Sequence, residues 1–200
     1  MVAVLVWAVA AAASRWVGMW LALGATSVAL GALALALHWN ELRPLLAARI
    51  PALGTGLLVG VAMTALTYVL YPAFDRAVPG LAQERDMLYT RLHAAPDLWR
   101  RLALLPVLLP IIAGEEVVWR GLVQSALARW RGGITGIVTG AALYAAVQSP
   151  AGSPLLILTA LACGLVWGSL RSATRGLWAP FLAHVIWDVA VLFIAPLDAA

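Results

Sequence analysis

Long apolar runs separated by short polar connections dominate this sequence. A helix that crosses a bilayer needs about 20 apolar residues. The runs that approach this length are 16–37, 52–73, 102–128, 133–148, 154–170 and 178–196. No segment alternates apolar and polar residues between turn signals, which is the pattern of a membrane-spanning strand. The sequence therefore predicts an all-α fold, a polytopic transmembrane helical bundle with about six spans.

Residues 2–13 would add a seventh span. They end in Ala11–Ala13 and are followed by Ser14, which resembles the end of the apolar core of a signal peptide. They lack preceding basic residues, however, and lead directly into the next apolar run. We therefore interpret them as a retained first helix.

The longest polar stretch runs from Asp75 to Arg101 and mixes acidic and basic residues with spaced leucines. This pattern is typical of a helix that lies at the membrane interface. It separates the N-terminal membrane helices and their interfacial loop, residues 1–99, from a helical core of residues 100–196. We expect both parts to form one integrated membrane domain.

Composition strengthens the membrane prediction. Hydrophobic residues make up 64% of the chain and charged residues 11%, whereas a soluble domain has about 45–50% and about 25%. A soluble fold of this length has too little interior for so much apolar surface, so lipid must cover the rest. We expect a multi-pass protein of the cell inner membrane, in contact with the lipid bilayer.

All thirteen basic residues are arginines, spread through the connections rather than gathered on one basic face. That distribution does not indicate a nucleic-acid partner. Three connections that fall on one side of the membrane, if the spans alternate, contain Arg43 and Arg49, Arg129 and Arg131, and Arg171 and Arg175. The positive-inside rule predicts that this side is the cytoplasm.

Small and aromatic residues indicate packing and anchoring rather than chemistry. Glycines at four-residue spacing allow close helix approach, and tryptophans near span ends favour the membrane interface. The lone Cys163 lies in an apolar run, where we expect a packing role. The glycines are Gly132, Gly136, Gly140, Gly164 and Gly168, and the tryptophans are Trp16, Trp20, Trp39, Trp99, Trp130 and Trp178.

Five ionisable residues lie inside two of the apolar runs. Glu115, Glu116 and Arg120 are in run 102–128, and His184 and Asp188 are in run 178–196. Each such residue costs about 2.5–3.5 kcal/mol on insertion scales, so it needs a partner, a bundle interior or a water-filled cavity.

Helical geometry divides these five residues by role. Glu116 and Arg120 are four residues apart and share a face, which favours a structural ion pair. Glu115 is rotated about 100° away and has no local basic partner, so it is a candidate proton acceptor. His184 and Asp188 converge on one patch of the last helix. The alternative is that all five only link the two helices through buried polar contacts.

Two segments resemble motifs of a known family. The run from Gly114 to Gly121, G-E-E-V-V-W-R-G, resembles the E-E-x-x-x-R-G signature of the CAAX-protease and bacteriocin-processing family of intramembrane proteases, also called the Abi family. The run from Leu177 to Asp188, L-W-A-P-F-L-A-H-V-I-W-D, is similar to that family's last motif, H-x-x-x-N or H-x-x-x-D after a W-x-P element. Both lie in the family's order and at about its spacing.

The sequence departs from the family between these motifs. The family has F-x-x-x-H there, whereas this chain has Tyr144 and Gln148. Glutamine donates a hydrogen bond but does not take a proton, and it is a poor zinc ligand. The other histidines, His38 and His93, fall in predicted loops.

The resemblance implies a peptide hydrolase with one of two mechanisms. In the metal mechanism, Glu115, His184 and Asp188 bind zinc and polarise a water molecule. In the glutamic mechanism, Glu115 deprotonates the water directly, while His184, Asp188 and Gln148 orient it and stabilise the oxyanion. The glutamic mechanism tolerates Gln148 better, because it requires no second nitrogen ligand.

The predicted function is therefore an intramembrane endopeptidase. Its partner would be a membrane-anchored or lipidated protein or peptide, cleaved at a prenylated C-terminus, a leader peptide or a C-terminal sorting tail. One alternative is an inactive family member that binds a membrane partner, which the loss of the middle histidine favours. A second is a small transporter that uses the buried carboxylates as a proton relay.

Overall fold

The computed structural model describes residues 2–92 and 98–197, and in these ranges it contains helices and no strand. His93 and Asp97 of the polar stretch lie outside the described residues. The helices are α1 (Val2–Val17), α2 (Ala25–Leu37, after a π-helical turn Trp20–Gly24), α3 (Trp39–Leu42), α4 (Ile50–Ala77), α5 (Leu81–Arg91), α6 (Leu98–Leu102), α7 (Leu105–Glu115), a π-helix Glu116–Val123, α8 (Gln124–Arg131), α9 (Gly133–Ala146), α10 (Pro154–Thr174) and α11 (Trp178–Asp188, continued by a π-helix Val189–Ile194).

The all-α prediction is confirmed, but the predicted number of spans is not. Among the described residues, three helices are long and apolar enough to cross a bilayer, Trp20–Leu37, Ile50–Ala77 and Pro154–Thr174. Val2–Val17 and Trp178–Ile194 are apolar but shorter. Helix α9 has 14 residues, which is about 21 Å against the roughly 30 Å of a hydrocarbon core.

Helix α1 belongs to the bundle. Trp7 and Ala11 have no exposed surface, and the Trp7 ring meets that of Trp119 edge-on at a centroid distance of 5.4 Å. The N-terminal apolar segment thus forms the predicted helix and packs beside the segment that carries the ionisable residues.

Glycines set the closest helix approaches. A methyl group on Gly56 would lie 2.6 Å from the carbonyl oxygen of Ala179, and one on Gly114 would collide with the backbone of Ser27. These contacts seat α11 on α4 and α7 on α2.

The predicted glycine pattern is partly right. Gly136 packs on Ala128 and Gly164 packs on Ala141 at hypothetical Cβ distances of 2.8 and 3.1 Å, while Gly140 and Gly168 lie against Gln124. Gly132 was wrongly predicted as a packing residue, because nothing lies within 4 Å of its Cβ position and its φ is +91°. It instead supplies the left-handed turn between α8 and α9.

The two ends of the bundle differ. At one end, Leu177 N–H donates to the Leu45 carbonyl at 2.9 Å and Arg129 pairs with Glu41 at 3.2 Å, so the three arginine-containing connections gather there. Helix α5 lies across the opposite end, where Ser153 donates to Glu84 at 2.9 Å. The polar stretch therefore does form a helix, at the end away from the connections with Arg43, Arg129 and Arg171.

Candidate active site

The first motif lies where the helix widens. Segment Glu116–Val123 is π-helical between α7 and α8, and π-helical turns inside α-helices are frequent at functional sites. Every residue from Glu116 to Gly121 is buried. The wide turn therefore presents Glu116 and Arg120 to the bundle interior together.

Glu115 accepts its shortest hydrogen bond from a hydroxyl. The phenol of Tyr144 donates to Oε2 of Glu115 at 2.7 Å. Ser27 Oγ lies 3.4 Å from Oε1, but its single proton goes to the Leu23 carbonyl at 2.7 Å. Glu115 is thus held by one strong donor and keeps a second oxygen for a water molecule or a substrate group.

Glu116 is paired differently from the sequence prediction. Its Oε1 lies 2.9 Å from Nδ1 of His184 and 3.5 Å from Nη1 of Arg120. The histidine contact is the better hydrogen bond, because N–H···O bonds centre near 2.9–3.0 Å. Glu116 therefore links the first motif to the last one, and the predicted i,i+4 ion pair is its longer contact.

Arg120 is held by aromatic faces. Its guanidinium carbon lies 4.6 Å from the ring centroid of Tyr144 and 5.0 Å from that of Trp167. Its Nη atoms have no hydrogen-bond partner among the described residues. Cation–π attraction, worth about 2 kcal/mol or more when desolvated, offsets part of the cost of burying this charge.

His184 is fixed on three sides. Besides the Glu116 contact, its Nε2 lies 3.5 Å from Oδ2 of Asp188. The Trp167 ring stacks on the imidazole at a centroid distance of 3.6 Å and an angle of 19°. The ring plane is therefore set by Trp167, and each ring nitrogen faces one carboxylate.

Gln148 follows the C-terminal end of α9 and is 4% exposed. Its buried Oε1 has no hydrogen-bond partner among the described residues. An unpaired buried polar atom costs about 1–3 kcal/mol. The amide is thus available to a water molecule or to a bound peptide.

These side chains share a cavity of about 310 Å³, whose lining includes Glu115, Tyr144, Gln148, Trp167, His184 and Asp188. Leucines and isoleucines of α5, α7 and α10 form much of the remaining wall. Glu116 and Arg120 lie behind this wall, with 1% and 2% of their surfaces exposed. The structure brings the four predicted catalytic residues into one cavity lining, and the predicted supporting pair lies outside that lining, with Glu116 in contact with His184.

The donor set does not fit the zinc mechanism. Each nitrogen of His184 faces a different carboxylate, Glu116 and Asp188. In residues 2–92 and 98–197 no group of three His, Cys, Asp or Glu side chains is arranged to hold a metal ion. We therefore derive no step through a metal.

Tyr144 and Trp167 are the site residues that sequence reasoning missed. Tyr144 stands at the position of a phenylalanine in the F-x-x-x-H motif, so its hydroxyl was the available signal. Trp167 lies in the middle of the span Pro154–Thr174 rather than at an end. That position is unusual for an interfacial anchor and indicates a contact inside the bundle.

Comparison with known proteins gives one family. Residues 96–190 match the family model described as type II CAAX prenyl endopeptidase Rce1-like. No curated protein and no solved structure matches the chain. The matched region contains both motifs, the intervening Tyr144 and Gln148, and all six predicted site residues.

Proposed function

This chain belongs, over residues 96–190, to the CAAX-protease and bacteriocin-processing family of intramembrane endopeptidases, and from that premise we propose that it is an active endopeptidase of the glutamic type. It hydrolyses a peptide bond of a membrane-anchored or lipidated protein, at a leader peptide or a C-terminal tail. It does so as a multi-pass protein of the cell inner membrane.

One observation carries this proposal. Four chemically competent groups from three separate segments of the chain, Glu115, Gln148 and the pair His184 and Asp188, line the same cavity. Ionisable groups inside apolar helices cost insertion free energy, and they are typically found where they pair with each other or line a functional cavity.

Glu115 acts as general base and then as general acid. It takes a proton from water while the water oxygen attacks the scissile carbonyl carbon, and it returns that proton to the leaving amine as the C–N bond breaks. The Tyr144 hydroxyl holds the carboxylate in place at 2.7 Å. Because the Tyr144 hydroxyl donates to Oε2 of Glu115, Oε1 is available to the water.

Gln148 and His184 complete the chemistry. The Gln148 amide orients the water through Oε1 or, after rotation, donates through Nε2 to the oxyanion. The imidazole of His184 is stacked on Trp167 and its Nε2 lies 3.5 Å from Asp188. Both residues line the cavity, where they orient the water and stabilise the oxyanion.

A tagged single-span reporter in proteoliposomes tests the activity. Wild type should release the cleaved fragment, and Glu115→Gln should release none, because an amide does not accept the proton. Glu41→Gln is the control for the same exchange, because this carboxylate lies exposed at the far end of the bundle and does not line the cavity. An inert wild type, or cleavage by Glu115→Gln, would contradict the proposal.

A second candidate is an inactive member of the family, which Gln148 in place of histidine favours. It predicts an inert wild type, and cleavage that appears only in Gln148→His.

A further inference from the structure

Helix α5 closes one side of the cavity. Arg85, Leu88 and Tyr89 of this helix line it, as does Leu92 directly after the helix. Polar contacts to other parts of the chain hold the helix and its end, including Arg91 to the Ala151 carbonyl at 2.8 Å and Trp20 to the Leu92 carbonyl at 2.6 Å. Its position is therefore defined relative to the catalytic groups on the opposite wall.

Two side chains of α5 bind the backbone of Leu197 at this wall of the cavity. Nη1 of Arg85 donates to the Leu197 carbonyl at 3.0 Å, and the Leu197 N–H donates to the Tyr89 hydroxyl oxygen at 3.2 Å. Leu197 itself lines the cavity. Both main-chain polar groups of one residue are thus satisfied by side chains rather than by a helix or a sheet.

Both holding groups are oriented in advance. Tyr89 donates its own proton to the Val191 carbonyl at 2.5 Å, so its oxygen accepts from Leu197. Arg85 also contacts the Tyr71 hydroxyl at 3.0 Å and pairs with Asp86 at 2.8 Å. A donor and an acceptor fixed in this way bind the N–H and C=O of any L-residue except proline, because neither contact involves a side chain of the bound residue.

We propose that Arg85 and Tyr89 form a binding subsite for the main chain of a peptide substrate, and that Leu197 occupies this subsite in the resting protein. This inference rests on the proposed function and adds to it a place where the substrate backbone is bound. The same cavity continues to Glu115, Gln148 and His184, so a peptide bound at α5 extends toward the reacting groups. The resident segment and the substrate then compete.

Peptide binding tests the inference without cleavage. The probe is a fluorescently labelled hexapeptide of residues 195–200, A-P-L-D-A-A, and its anisotropy is measured with the Glu115→Gln protein in detergent. Adding Leu197→Pro removes the N–H that the Tyr89 hydroxyl accepts, so the probe should bind about fivefold more tightly, the effect of one hydrogen bond. Leu197→Ala is the matched control, because it keeps both main-chain contacts.

Arg85→Gln weakens the resident segment as well as the probe, so it is compared in the Leu197→Pro protein, where the resident segment is already weakened. There it should weaken probe binding about tenfold, because a charge-assisted bond is lost. Arg91→Gln is the control on the same helix, since Arg91 contacts the Ala151 carbonyl instead. A probe with alanine in place of its leucine should bind within about threefold of the original, and one with proline there should bind several-fold more weakly.

The reporter assay supplies a second measurement. Leu197→Pro should lower KM about fivefold, and Arg85→Gln added to Leu197→Pro should raise it about tenfold, with kcat nearly constant in both. Probe affinity that is the same in Leu197→Pro, Arg85→Gln and their controls would overturn the inference even if the wild type cleaves the reporter. Probe binding that depends on Arg85, with no cleavage by wild type, would support the subsite and contradict the catalytic proposal.

Discussion

Tyr144 gives Glu115 a hydrogen bond that a phenylalanine at this position would not supply. Tyr144→Phe keeps the ring against Arg120 and Trp119 and removes only the donor at 2.7 Å. Because a bond to a charged group is worth about 1.5–3 kcal/mol, we expect kcat for reporter cleavage to fall about 10- to 100-fold and the melting temperature to fall as well. Full activity in this variant would show that the phenol is only structural.

Substitution of Gln148 distinguishes the proposed active endopeptidase from an inactive family member. If its amide contacts the water or the oxyanion, Gln148→Ala should lower the cleavage rate about 10²- to 10³-fold, while Gln148→His is tolerated because imidazole forms an equivalent bond. Single-turnover kinetics with the reporter measure both variants. An active wild type whose rate is the same in Gln148→Ala would refute this role.

Glu116 and Glu41 form a natural comparison of a buried and an exposed carboxylate. Each contacts one histidine and one arginine, His184 and Arg120 in the first case and His38 and Arg129 in the second. Glu116→Ala removes the hydrogen-bond partner of His184 Nδ1 and the nearest counter-charge of the buried Arg120. We therefore expect a loss of about 3–5 kcal/mol and a lower melting temperature. Glu41→Ala should melt like the wild type, because exposed pairs contribute little. Equal melting of both variants would contradict this assignment.

Residue spacing along α11 predicted one of the two carboxylate contacts of His184. The proximity of His184 and Asp188 follows from their separation by four residues, and their Nε2 to Oδ2 distance is 3.5 Å. The stronger contact of Glu116 was missed, because His184 is 68 residues away and only the packing of α11 beside the π-helix brings the two together. Contacts between helices depend on glycine approaches such as Gly114 on Ser27, whose partners a single sequence does not identify.

At the scale of helices, the apolar pattern predicted the elements better than their lengths. Run 102–128 became α7, a π-helix and α8, and the charges at Glu115, Glu116 and Arg120 make it the least lipid-compatible of the predicted spans. Run 133–148 became the short α9. Hydropathy does not separate a helix that spans lipid from one that is buried among other helices, since both are apolar.

The packing of α11 on α4 can be tested with two glycines of α4. Gly56→Ala places a methyl 2.6 Å from the Ala179 carbonyl oxygen, and overpacking of this kind costs about 1–3 kcal/mol. Gly54 has nothing within 4 Å of its Cβ position, so Gly54→Ala should melt at the wild-type temperature or above it. Thermal melting in detergent compares them, and equal melting would show that α11 is not seated as described. Since α11 carries His184, cleavage should fall in Gly56→Ala alone.

At the scale of the whole molecule, the orientation of the protein in the membrane decides from which side the cavity receives a substrate. The connections with Arg43, Arg129 and Arg171 gather at one end, and α5 with its cavity wall lies at the other. If the arginine-containing end is cytoplasmic, as the positive-inside rule predicts, the α5 wall of the cavity lies toward the outside, and we expect the substrate to be a protein already exported or anchored there.

Single cysteines test this orientation in intact cells. The background protein has the buried Cys163 replaced by alanine. In this background, Gln83→Cys introduces a cysteine on the exposed face of α5, and Ala173→Cys introduces one at the exposed end of α10. A membrane-impermeant maleimide should label the cysteine at 83 and leave that at 173 unlabelled until the cells are permeabilised. Both should react equally in detergent, which controls for accessibility. The reverse pattern would place the α5 wall of the cavity on the cytoplasmic side, and the substrate would then be cleaved before or without export.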